Sequence, residues 1–94
     1  MGAANKELTG RKERIRASLA ARFTPIALDV IDESHKHAGH AGSRPEGETH
    51  FHVRITAPEF AGMTRVARHR AVTQTLAAEF EGGLHALSID AQAP

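Results

Sequence analysis

The chain has 94 residues, which bounds it to one compact domain with one modest core. Twelve Lys and Arg against eleven Asp and Glu leave a formal charge of +1, which excludes a bulk polyanion binder and allows only a local basic patch. An apolar content of 40% excludes a disordered tail, and the absence of cysteine excludes a disulfide framework, a thiol nucleophile and a zinc ribbon.

The first sixteen residues carry Lys6, Arg11, Lys12, Arg14 and Arg16 without an apolar stretch, so they do not read as a secretory signal. No apolar run approaches the ~18–20 residues that cross a bilayer. Glu7 and Glu13 speak against organelle import, and the expected setting is the cytoplasm. From Thr9 to Phe23, Ile15, Leu19 and Phe23 recur every four positions with Leu8 seven before Ile15, which predicts a helix. Thr24-Pro25 ends it, because the residue before proline is pushed out of the α region. Pro25 to Asp32 alternates as a strand with Ile26, Leu28 and Val30 on one side. Residues 35–48 contain Gly39, Gly42, Pro45 and Gly47 and predict a long mobile loop, as residues 1–9 predict a flexible N-terminus. Thr49 to Ile55 is a second strand, with Phe51, Val53 and Ile55 inward and His50, His52 and Arg54 outward, antiparallel to the first if the loop returns as a hairpin.

Ala57 to Gly62 reads as a turn, and Thr64 suits the N-cap of a helix that runs to Phe80. Its apolar stripe is Val66, His69, Val72, Leu76 and Phe80. Gly82-Gly83 ends the helix, and Leu84 to Ile89 forms a last strand in which His85 shares parity with Leu87 and Ile89. The order αββαβ predicts an α+β, two-layer sandwich, a three-stranded sheet with both helices on one face, as a single domain over residues 1–94.

Seven histidines stand out in a chain with no Trp or Tyr. His35, His37 and His40 share the glycine-containing loop, which could present an imidazole to a metal or could be an ordinary solvated surface. His50 and His52 are expected exposed or paired across the sheet, and His69 buried and hydrogen-bonded. His85 could meet His37 if the loop folds back to that end of the sheet. Two imidazoles are half a tetrahedral site and call for a partner chain. Arg65, Arg68 and Arg70 at the start of the second helix, with Arg11, Lys12, Arg14 and Arg16 on the first, could contact phosphates or form solvated helix faces. No serine has a nucleophile-elbow context, no Gly-rich phosphate loop follows a strand, and no GXXG segment or aromatic RNA-binding strand occurs. An enzyme, or a small-molecule substrate, is not expected.

The segments Val30-Ile31-Asp32-Glu33-Ser34-His35-Lys36-His37, Glu48-Thr49-His50-Phe51-His52-Val53, Phe60-Ala61-Gly62, Arg68-His69-Arg70-Ala71-Val72 and His85-Ala86-Leu87-Ser88-Ile89 together resemble the BolA family over about Arg11 to Ala91. The resemblance implies a fold like a class II KH domain without the GXXG loop. It also implies partnership with a monothiol glutaredoxin through a shared [2Fe–2S] cluster, the glutaredoxin bringing a cysteine and bound glutathione. By that resemblance His85 is the C-terminal ligand and His37 the loop ligand, with His40 the alternative and His35 nearby, since this loop is longer than in some members. Imidazole in place of thiolate raises the potential of such a cluster. The family is also described as DNA-binding regulators of morphology and stress response, with the region matching Arg65, Arg68 and Arg70 at the nucleic acid. BolA-like proteins alone are often monomeric, which is the expectation for this chain.

Overall fold

The computed structural model describes residues 10–33 and 49–94. His35, His37, His40 and the expected flexible segments lie outside the described residues. The elements are α1 (Arg11–Arg22), β1 (Ala27–Asp32), β2 (His50–Thr56), a 3-10 turn (Pro58–Phe60), α2 (Arg65–Thr75), α3 (Ala77–Glu81) and β3 (Ala86–Gln92). The sheet order is β1-β2-β3, with β1 antiparallel and β3 parallel to the central β2. A parallel pair needs a crossover, and α2 with α3 supplies it. This is the expected α+β architecture, with one helix divided in two.

Alternation along β2 buries Phe51, Val53 and Ile55 under α1 and α2, where Ile15, Leu19, Val72 and Leu76 complete the core. The opposite face of the sheet carries Asp29, Arg54 and Asp90 in one cross-strand row. Phe23 and Phe60 close the bottom of the core, with ring centroids 4.8 Å apart. The Glu59 carboxylate accepts from the backbone N–H and hydroxyl of Thr24 at 3.0 and 2.7 Å, tying the end of α1 to the 3-10 turn. These bonds hold its carboxyl below the usual glutamate range.

Three expectations are corrected. Ile26 is not an inward strand residue: the register ends at Ala27 opposite Thr56, and Ile26 stands outside it, 68% exposed. The helix from Thr64 does not run unbroken to Phe80. Thr64 does cap it, accepting from the Ala67 N–H at 3.0 Å, but Leu76 leaves helical geometry at φ −103°, ψ 16°. The Thr73 and Thr75 hydroxyls donate to the carbonyls of Arg70 and Ala71 at 3.1 and 2.7 Å, a competition with the backbone ladder that bends helices. The last strand begins at Ala86, so His85 precedes it.

The buried face of α2 is also rotated from the predicted stripe. At 3.6 residues per turn Val66 lies about 120° around the helix from Val72. Val72 and Leu76 are buried while Val66 is 58% exposed, and Phe80, beyond the break, is 38% exposed. Arg68, one turn before Val72, is carried into the interface with β3 instead.

Gly82-Gly83 ends α3 in a Schellman arrangement: the Gly83 N–H donates to the Phe80 carbonyl at 3.3 Å and the Leu84 N–H to the Glu79 carbonyl at 2.8 Å. Gly83 sits at φ 118°, where a side chain is strained.

Candidate functional site

His85 stands exposed between this Schellman turn and β3. Its own N–H and that of Ala86 both donate to the Thr49 carbonyl, at 2.8 and 3.1 Å. Thr49, immediately before β2, therefore ties down the backbone at His85. The Glu33 N–H donates to the His50 carbonyl at 2.8 Å, so β1 leaves the sheet at the same end. Glu33 and Thr49, the described residues that flank 34–48, thus lie at the same end of the sheet as His85.

His50 departs from its parity. It falls on the outward positions of β2, yet it is 8% exposed, and with Thr49 at 1% it is one of two buried polar side chains among the described residues. The Thr49 hydroxyl bonds His50 Nδ1 at 2.9 Å, and the rings of His50 and His85 lie 5.2 Å apart with planes at 53°. Of the two arrangements expected for His50, pairing across the sheet is the one found. A buried polar group without a partner costs ~1–3 kcal/mol, and the Thr49 hydroxyl offsets that for one ring nitrogen. Among the described residues no three His or carboxylate groups converge as a metal-holding set. His85 is the one member of the predicted ligand set that the described residues include.

The other histidines are placed apart. His52 is half-buried on the open face of the sheet, between Ile31 and Ser88 in the register. His69 is not a core histidine: it is half-buried and lines a shallow depression with Arg65, Val66, Arg70 and Thr73.

The arginines split by role. Arg65 and Arg70 are exposed, and α2 contains no acidic residue. Arg68 is half-buried and donates to the carbonyls of Met63 and Ala91, both at 3.2 Å, pinning α2 to the far end of β3. On α1, Arg11 and Arg14 grip Glu79: Arg11 Nε and Arg14 Nη2 donate to Oε1 at 3.0 Å, and Arg14 Nε to Oε2 at 2.9 Å. Arg11 Nη2 also donates to the Gly82 carbonyl at 2.7 Å, at the C-terminus of α3. The bond from Arg14 above all, against an opposing burial effect, holds the Glu79 carboxyl below its usual range. This half of the basic α1 face is committed to structure. His85 and Ala91, where Arg68 is anchored, are six residues apart along β3, about 20 Å at ~3.3 Å per residue. The histidine end and the arginine end of the sheet are therefore separate surfaces.

Sequence reasoning missed Thr49 and Glu79. Thr49 gave no signal beyond being read as the first residue of the second strand, which begins at His50. Glu79 could have been noticed as a carboxylate beside the helix stop, but its arginine partners are 65 and 68 residues away.

The model of the family described as BolA-like protein matches residues 19–94. An uncharacterized protein of Sinorhizobium is 49% identical over 87% of this chain and 89% of its own length. The chain belongs to the BolA-like family. The BolA-like chain is 42% identical to the chloroplast protein BOLA1 of Arabidopsis thaliana over 99% of its residues, spanning 59% of that relative. It is 41% identical to the Escherichia coli protein named DNA-binding transcriptional regulator BolA, over 83% of this chain and 70% of the other. The BolA domain of SufE1 from Arabidopsis thaliana superposes with a TM-score of 0.82 at 44% identity, covering 92% of this chain and 94% of that one. No helix among the described residues is long and apolar enough to cross a membrane.

Proposed function

We propose that this BolA-like chain partners a monothiol glutaredoxin and shares a [2Fe–2S] cluster with it, in cluster assembly, trafficking or iron regulation. The observation that carries this reading is the solvent-facing imidazole of His85, on a backbone fixed by Thr49, at the end of the sheet where Glu33 and Thr49 flank residues 34–48. The donor set fits such a role: a chain without cysteine offers imidazole, and a partner cysteine with glutathione would supply sulfur. His85 would hold iron together with an imidazole of the loop, His37 first and His40 second. In this reading the chain acts by association, in the cytoplasm, and not as an enzyme.

Visible circular dichroism of a mixture with [2Fe–2S]-loaded monothiol glutaredoxin tests the proposal. A new spectrum that is lost in His85→Ala is expected, and His37→Ala against His40→Ala identifies the loop ligand. An unchanged spectrum with the wild-type chain overturns it.

A second reading, DNA binding, is favoured by the exposed Arg65 and Arg70 on an acid-free helix and by the relative named as a DNA-binding regulator. Retention of promoter DNA on a gel at moderate salt, weakened in Arg65→Ala/Arg70→Ala, supports it; no retention, or none lost in the variant, ends it. Arg68→Ala is the poorer probe, because it also removes the two carbonyl contacts that anchor α2.

A further inference from the structure

We propose that His50, seated on the Thr49 hydroxyl, is a positioning residue that fixes the ring orientation of His85. This rests on the reading of His85 as a ligand and extends it to two side chains behind that ligand.

Four observations converge. His50 occupies an outward position of β2, where alternation asks for exposure, and is nevertheless buried. Being an imidazole, the buried ring needs a polar partner, and the equally buried Thr49 hydroxyl bonds its Nδ1 at 2.9 Å. That bond fixes which way the His50 ring faces. The His50 ring then stands 5.2 Å from the ring of His85 at 53°, a tilted aromatic contact. Finally, Thr49 holds both ends of the arrangement, since its carbonyl takes the N–H groups of His85 and Ala86. Backbone and ring of His85 are thus referenced to the same pair of residues. Departures from local pattern of this kind are expected where a site is being supported.

The benefit is preorganisation. An exposed histidine on a strand end samples three χ1 wells, and its ring two broad orientations, so a ligand confined to one of them binds up to about sixfold more tightly than a free one. A ring packed against His85 confines it whether or not that ring carries nitrogen. The Thr49 hydroxyl refines the arrangement by holding His50 still.

The test is made on the whole chain by NMR, without metal or partner. Three-bond couplings report the χ1 of His85, and ring-to-ring Overhauser contacts report its neighbour, with a dispersed amide spectrum certifying the fold of each variant. The wild type is expected to show one His85 rotamer in contact with His50. His50→Ala should average it, His50→Phe should retain it, and Thr49→Val should weaken it. In a second arm, titration with [2Fe–2S]-loaded monothiol glutaredoxin should show His50→Ala weaker by about three- to sixfold and His50→Phe near wild type. A His85 ring already averaged in the wild type, or still fixed in folded His50→Ala and Thr49→Val, overturns the positioning role. A fixed ring with no response to the glutaredoxin leaves the positioning intact and strikes down the ligand reading alone.

Discussion

Glu79 shows how a single side chain joins elements far apart in sequence. Its carboxylate takes three bonds from Arg11 and Arg14, both ends of the pair being largely shielded from solvent on the Arg11 side. Charge-assisted bonds in a half-buried setting contribute more than an exposed ion pair, so Glu79→Gln should destabilise the fold by about 1–2 kcal/mol in denaturant unfolding. Its pH dependence has a definite sign. A carboxyl held below its usual range in the folded chain contributes stability that is complete above the unfolded value near ~4.3 and is lost as pH falls through the lowered one. The melting temperature of the wild type should therefore fall on acidification below that value more steeply than that of Glu79→Gln. Parallel acid profiles would show that the clamp contributes nothing.

At the scale of elements, the junction between α3 and β3 decides where His85 stands. Gly83 at φ 118° allows the Leu84 N–H to return to the Glu79 carbonyl, and Arg11 covers the Gly82 carbonyl left at the helix end. Gly83→Ala should cost about 1–2 kcal/mol, because an L side chain is strained in that region of backbone space. Gly82 has an ordinary negative φ of −87°, and a Cβ there would meet the Ala78 carbonyl at 3.3 Å, a tight contact without the backbone strain. The melting temperature of Gly83→Ala should accordingly be the lower of the two alanine variants. The break at Leu76 belongs to the same scale: two threonine hydroxyls turned onto helix carbonyls bend the chain, and Phe80 leaves the buried stripe.

At the scale of the whole molecule, the sheet separates two chemistries. His85 lies at one end of β3, and Ala91, where Arg68 anchors α2, lies at the other, about 20 Å along the strand. The two proposed activities should then be separable by mutation. His85→Ala should abolish the cluster-dependent spectrum and leave any DNA retention unchanged. Arg65→Ala/Arg70→Ala should do the reverse and reduce the salt slope of DNA binding by about two. Loss of both activities in either variant would mean that the ends are coupled through the fold.

Much of this protein was legible in the chain itself. Alternation in Phe51, Val53 and Ile55, the four-residue spacing of Ile15, Leu19 and Phe23, the Thr64 cap and the Gly82-Gly83 stop are local signals, because period and turn chemistry act over a few residues. They determined the element order and the three-stranded sheet, whereas His85 as a candidate ligand came from the family resemblance. Tertiary structure alone decided which face of α2 is buried, since Val66 and Val72 are equally apolar and only packing against β3 chooses between them. It also decided that Arg11, Arg14 and Arg68 serve the fold while Arg65 and Arg70 face solvent, because an arginine's role depends on the carboxylate or carbonyl brought to it. The burial of His50 was illegible for the same reason: parity along β2 is local, whereas the His85 ring meets that imidazole only when β3 has crossed over to lie beside it.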